Sequence, residues 1–270
     1  MKVISCVFVV LMLVLGAVAC TAPAAKEPET SAVSEQTTAS TTQQITTEPI
    51  KETVSESVQE TAPDPAMVIE FKDANLEKDI RELLKRPEGN ITVGDALGVT
   101  YIDFAKQYED DDAIKIQDIA GLEYFTNLEE LHLMFNSVSD ISPLASMTKL
   151  KRLSLGANGV EDISVFANLT ELDSLVFFSN EPVIDFSPLK NLDKMGWMLL
   201  GYNNISDVSM LSGMTELWHL DLANTQVSDV TPLANLNNLK KLFLQGSKVT
   251  DFSPLAGIYD QLEEKDFELE

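Results

Sequence analysis

Apolar and polar residues along the C-terminal two-thirds of the chain recur in one fixed order. Leu128, Leu131, Leu133, Val138, Ile141 and Leu144 set it, and units with the same order open again at Leu150, Leu172, Met195, Leu217 and Leu239. In each unit two apolar residues at alternate positions, Leu131 and Leu133 in the first, predict a short strand with one face in a core. Ile141 and Leu144 then predict a return through a turn or short helix. The aspartates keep the count: Asp118, Asp140, Asp162, Asp185, Asp207, Asp229 and Asp251 stand 22, 22, 23, 22, 22 and 22 residues apart. A unit that short cannot bury an apolar face alone, so the units must stack into a solenoid. The odd interval falls at Glu181 and Pro182 and predicts a bulge in the third coil.

Upstream, residues 73–85 place Leu76, Ile80, Leu83 and Leu84 on one helical face, and Thr92 with Asp95 marks a second helix start. These predict an N-terminal cap over residues 68–113, because the first of the coils expected at 114–260 otherwise exposes its interior and a strand edge. Residues 261–270 read as an acidic tail whose charges blunt the last edge, with no folded cap.

Each unit follows the order L-x-x-L-x-L-x-x-N-x-V-x-D-x-x-P-L, and Asn136, Val138, Asp140, Ile141, Pro143 and Leu144 spell its second half. This resembles the leucine-rich repeat, specifically the 22-residue class of bacterial internalins, over residues 116–258. The resemblance implies an α/β solenoid, a right-handed horseshoe with a concave parallel β-sheet and a small N-terminal helical cap. It also implies protein binding, with adhesion as one use. The column Asn136, Asn158, Asn180 and Asn203 is expected to exchange hydrogen bonds with the backbone of adjacent coils. Thr225 and Ser247 break the column, so the C-terminal coils are expected to be looser.

Before the domain the composition changes twice. Residues 1–20 carry one basic residue, Lys2, then a small and apolar run, the pattern of an export signal. Ala17, Val18, Ala19 and Cys20 resemble the lipobox of bacterial lipoproteins, which implies lipidation at Cys20 and attachment to the outer face of the bacterial membrane. Two acyl chains hold a protein there stably; without use of the lipobox the protein is secreted. Residues 21–67 are rich in Thr, Ser, Glu and Pro, cannot offset the entropy of ordering, and read as a tether averaging roughly 40 Å end to end.

Charge and residue types narrow the chemistry. From residue 68 onward 16 basic residues stand against 35 acidic ones, net −19, which disfavours nucleic acid as a partner. No cysteine follows Cys20, so disulfide, zinc–thiolate and cysteine-nucleophile chemistry are excluded there. His132 and His219 fall in the first and fifth coils, about 19 Å apart by strand spacing, and cannot share one catalytic site. No phosphate-cradling loop or metal motif is present, and neither an enzyme, a cofactor nor a metal is expected. The aspartate column admits a calcium reading, but each carboxylate suits an Asx-turn better. Glu109, Asp110, Asp111 and Asp112 read as a solvated insertion.

Positions between the strand leucines face away from the core. In the middle coils they are apolar, and Met134, Val176, Phe178, Trp197, Leu199, Tyr202, Trp218, His219, Asp221 and Phe243 are the candidate partner-binding residues on the concave face. Gly156 and Gly201 leave room beside the rings. Six strands give a face of roughly 450 Å², below the ~800 Å² a standard interface uses on each side, so a protein partner must insert a convex element and touch the rims. A glycan stacked on Trp197, Trp218 and Phe243 is the alternative, and a monomer is the favoured state.

Overall fold

The computed structural model describes residues 63–269. The export signal, Cys20 and the tether up to residue 62 lie outside the described residues.

Helix α1 (Ala74–Leu83) starts where Asp73 accepts hydrogen bonds from the N–H groups of Asn75 and Leu76 at 2.8 and 3.0 Å. The other carboxylate oxygen of Asp73 accepts from Gln117 and Asp118 N–H at 2.7 and 3.2 Å, so one side chain caps the helix and ties it to the first repeat turn. Leu76 and Ile80 enter the core; Leu83 stays at the surface. Helix α2 (Val93–Ala96) opens with a capping box between Thr92 and Asp95. The ion pair of Lys106 with Asp79, at 2.7 Å and largely shielded from solvent, fastens α1 to the loop after the first strand.

The strands are β1 (Tyr101–Asp103), β2 (Glu130–His132), β3 (Arg152–Ser154), β4 (Ser174–Val176), β5 (Trp197–Leu199), β6 (His219–Asp221), β7 (Lys241–Phe243) and β8 (Glu264–Lys265). They form one open sheet, every neighbour parallel and in sequence order. Leu131, Leu153, Leu175, Met198, Leu220 and Leu242 pair in register and form a buried column behind it. The sheet is longer than the repeat pattern by one strand at each end.

Each coil returns through a 3-10 turn, as at Ser142–Ser146, and the last adds a second, Tyr259–Gln261, after Ser253–Gly257. The aspartate two residues before it accepts the N–H of the turn's first residue, at 2.8 Å from Ser142 to Asp140, Ser209 to Asp207 and Ser253 to Asp251. These are Asx-turns. Hydrogen bonds from the backbone and hydroxyl of the residue two positions on hold Asp140, Asp185, Asp229 and Asp251 below the usual carboxylate range. Among the described residues no group of three or more His, Cys, Asp or Glu side chains is placed to hold a metal ion.

Three residues beyond the end of each strand from β2 to β7 stands a left-handed residue. Phe135, Ala157, Ser179, Tyr202 and Asn224 have φ of 59, 55, 52, 59 and 56°, and glycine, Gly246 at 77°, takes the position only in the sixth coil. This conformation costs a non-glycine residue roughly 1 kcal/mol, and it swings the next side chain into the core. Four times that side chain is asparagine. Asn158 accepts from Val138 N–H of the preceding coil at 3.0 Å and donates to Leu133 O of that coil and Leu155 O of its own, at 2.9 and 3.0 Å. Asn136 and Asn180 repeat the arrangement. Asn203 keeps it beyond the longer third coil, where its acceptor bond comes from Asn180 N–H at 2.8 Å. Thr225 makes one such bond, to Leu222 O of its own coil at 2.7 Å, so the link to the preceding coil is missing there.

The expected acidic tail at 261–270 requires correction. Charge dominates its composition, but one aromatic residue decides its structure: Phe267 is buried and stacks on Phe252 at 4.8 Å and 15°. Phe267 also meets Tyr259 edge-on, and the Lys265 ammonium lies 4.2 Å from the centre of the Tyr259 ring. Strand β8 pairs with β7, and the Asp266 carboxylate accepts from Leu244 and Gln245 N–H at 2.7 and 2.9 Å, closing donors at the sheet's end. The segment is a small folded cap.

The ladder predicts a graded response. Asn180→Ala strands the buried Val160 N–H and is expected to cost about 3 kcal/mol, whereas Thr225→Ala, losing one bond within its own coil, is expected to cost about 1 kcal/mol. Urea unfolding of both variants measures this, and equal midpoints would remove the inter-coil role assigned to the amides.

Candidate functional site

The inward face of the sheet is built by alternate residues of strands β2 to β7 and the rims beside them. Its first half is polar. Glu130 accepts from the Arg152 guanidinium and contacts His132 Nε2 at 2.7 Å, while His132 Nδ1 lies 2.9 Å from Ser154 Oγ. Burial works against the charge on Glu130, but the hydrogen bonds from Arg152 and His132 hold its carboxyl below the usual range.

The second half is aromatic. The Trp197 ring lies 6.2 Å from Trp218 and 5.6 Å from His219, and His219 lies 5.7 Å from Phe243, so four rings run in contact across β5, β6 and β7. Trp218 sits on the rim just before β6 and is 42% exposed, the most open of the four. Its indole lies over Gly196, where an added Cβ would stand 3.1 Å from Nε1. The Trp197 indole nitrogen is, among the described residues, the buried side-chain polar atom with no hydrogen-bond partner. Such an orphan costs on the order of 1–3 kcal/mol.

Exposure departs from the sequence expectation at half of the ten candidate residues. Met134, Val176, Phe178, Leu199 and His219 are buried, Trp197, Tyr202, Asp221 and Phe243 half-buried, and only Trp218 openly exposed. The reason is the close spacing of neighbouring parallel strands, ~4.8 Å, at which large side chains on one face cover each other. Phe178 does not join the four rings. It folds over Gly156, where a Cβ would meet the ring at 2.4 Å, and meets Phe135 edge-on at 5.9 Å. Val176 and Leu199, paired in register, form an aliphatic floor between the two aromatic groups.

Phe135 and Tyr108 were not among the candidates. The left-handed backbone at Phe135 turns its ring toward the sheet face, and Tyr108, 63% exposed, meets it at 6.5 Å. No sequence signal marks those two; the glycines mark rings already among the candidates, since Gly156 and Gly196 each precede by 22 residues, one coil, the large ring that lies over them, Phe178 and Trp218.

Two ionisable groups sit among the apolar side chains of β6. Burial, then the neighbouring Lys241 charge, holds the His219 imidazole down to about 4, so it is neutral at pH 7. Burial pushes the Asp221 carboxyl up to about 6, the Asp266 charge adding to the effect and the hydrogen bond from Ala223 N–H opposing it. The paired residues on either side of Asp221 are Leu199 and Phe243. In the polar half His132 links the Ser154 hydroxyl to the Glu130 carboxylate, which Arg152 also engages; the aromatic half offers an apolar contact surface with one carboxylate, Asp221, that has no ion pair among the described residues.

The leucine-rich-repeat family, described as leucine rich repeats (2 copies), matches residues 126–168 and 217–257. The solved structure of an internalin (inlF) from Listeria monocytogenes resembles the chain with a TM-score of 0.68 and 38% identity, covering 74% of this chain and 58% of that one. Internalin inlC2 from the same organism gives a TM-score of 0.58 at 24% identity, covering 73% of this chain and 94% of that one, a likeness of fold alone. The chain thus spans 58% of the length of the inlF structure. No curated protein sequence matches the chain. Repeats and sheet give the chain the fold of a leucine-rich-repeat solenoid, similar to the solved internalin structures. No helix among the described residues is long and apolar enough to cross a membrane.

The raised carboxyl of Asp221 carries a stability prediction. Its folded value, about 6, exceeds the model-peptide value of 3.8, so its contribution is full below pH 3.8 and is lost as pH rises through 6. Asp221→Asn keeps the acceptor for Ala223 N–H without the charge. The variant is expected to be about 2 kcal/mol more stable than the parent at pH 7 and equal to it below pH 4, as read from urea midpoints across that range. His219 works in the opposite sense in both proteins, its contribution present above pH 6.5 and lost as pH falls through about 4.

Proposed function

We propose that the protein is an exported, lipid-anchored surface module that captures a protein partner against the concave face of its sheet, as a monomer and without catalysis. The observation that carries this reading is the continuous run of Trp218, Trp197, His219 and Phe243 across three strands, with Trp218 open to solvent. Tryptophan dominates binding hot spots because one rigid ring brings a large contact area at small entropic cost. The exposed rim rings Tyr101 and Tyr108 support it too, since they extend a face whose own area falls short of a standard interface. A convex loop of the partner fills the trough and touches both rims. Lipidation at Cys20 and the tether hold that face away from the membrane, and adhesion is the use such an arrangement serves.

A glycan is the second reading, favoured by the indoles of Trp197 and Trp218, which lie 34° from coplanar and offer stacking planes for sugar rings.

The test is a capture experiment from envelope and host-surface extracts and from purified polysaccharides. The full chain serves as bait beside Trp218→Ala and Trp197→Ala variants whose circular dichroism matches the parent. Loss of about 2 kcal/mol, roughly thirty-fold in affinity, is expected at one or both tryptophans. A protein ligand lost by the variants supports the first reading and a polysaccharide so lost supports the second. Ligands retained undiminished by both variants would move the site off this face.

A further inference from the structure

Two carboxylates of the inward face are held by cations, and one inside the aromatic half is not. Glu130 is held by Arg152, and Glu264 by Lys241 at 2.5 Å. Asp221, between Leu199 and Phe243, has no ion pair among the described residues and one hydrogen bond, from Ala223 N–H at 2.8 Å. A carboxylate largely withdrawn from water with so little compensation destabilises the free protein. Asparagine would accept the same hydrogen bond without that cost.

The space beside Asp221 is also particular. Gly201 lies next to it, and a Cβ there would come within 3.3 Å of Asp221 Oδ1, so the absent side chain leaves one flank of the carboxylate clear. Two residues away on the same strand His219 begins the ring run that continues into Trp197 and Phe243. An uncompensated carboxylate beside aromatic faces is complementary to a planar cation, which accepts the charge with its edge and the rings with its face.

Resting on the concave-face reading above, we propose that Asp221 and the half-buried rings of Trp197 and Phe243 form a receptor for a guanidinium group, the side chain of an arginine at the tip of the partner's inserted loop. The charge balance supports that occupant. The domain from residue 68 carries a net charge of −19 and steers cations toward itself. Arg152 and Lys241, the cations of the same face, are already engaged by Glu130 and Glu264 and leave Asp221 unanswered. His219 is neutral at pH 7 and does not repel the incoming charge.

Binding of a cation must then follow the ionisation of Asp221, whose carboxyl is pushed up to about 6 chiefly by burial. The other ionisable groups facing this region are His219 on β6, Lys241 on β7, Glu264 on β8 and Asp266 beyond it. His219, held down to about 4 by burial, stays largely neutral at pH 5.

The proposal is tested with the full chain and two peptides, acetyl-Gly-Ser-Arg-Ser-Gly-amide and its citrulline counterpart, which keeps the shape and removes the charge. The indole N–H signals of Trp197 and Trp218 are followed by NMR during titration at pH 7.5 and pH 5. The arginine peptide is expected to shift them saturably at pH 7.5, at least tenfold more tightly than the citrulline peptide, and about tenfold more weakly at pH 5 as Asp221 takes up its proton. Asp221→Asn is expected to bind both peptides equally, with no pH dependence. Equal affinity of the parent for the two peptides, unmoved indole signals, or undiminished arginine binding by Asp221→Asn would each overturn the proposal. The two readings separate cleanly: a protein ligand lost by Trp218→Ala but kept by Asp221→Asn sinks the guanidinium receptor alone, whereas a ligand kept by both tryptophan variants sinks the concave-face reading on which it rests.

Discussion

The fold depends on one repeated transaction, the asparagine amide that satisfies backbone of its own coil and of the coil before. A 22-residue coil is too short to contain its own hydrogen bonding. Three strand residues pair with each neighbour, and the rest of the circuit is turn and loop whose buried N–H and C=O groups need partners. Asn136, Asn158 and Asn180 supply them at the corner where the strand ends. The left-handed residue before each is the conformational cost of aiming the amide inward. Everything else follows from that corner. It fixes the spacing of the coils, the spacing fixes the register of the strands, and the register decides which side chains share the inward face.

Much of this was legible before any coordinates. The aspartate count gives the period, and the alternation of Leu131 with Leu133 gives strand and face. Asp73 and the pair Thr92 with Asp95 mark helix starts that the structure bears out. What could not be read was how residues on the same face treat one another. Alternation says that Phe178 and His219 point away from the leucine core; it does not say that neighbouring side chains bury them. The fate of residues 261–269 was hidden for a related reason. Their charge outweighs Phe267 in any composition, yet one aromatic ring stacked on Phe252 is enough to order them. Even the glycines carried information only in pairs with rings one coil later, a relation visible once the period is known.

The inward face holds features that work against the stability of the free protein. The Trp197 indole N–H lacks an acceptor, and Asp221 keeps a carboxyl where a neutral side chain would fit better. Both sit in the half of the sheet where the rings gather, whereas in the other half Glu130, His132, Ser154 and Arg152 satisfy one another fully. Local frustration confined to one region of an otherwise consistent fold is the usual physical mark of a surface shaped for something other than its own folding.

The direction of the sheet's hydrogen bonds has a mechanical consequence. They run from coil to coil, along the axis of the stack, so a pull that separates the two ends loads the rows in series and the weakest row yields first. The β7–β8 row has two register pairs where the others have three, and the Phe252 and Phe267 stack reinforces it from the side. A molecule seated across β5, β6 and β7 would load those rows together. Such a molecule would stiffen the stack along its axis.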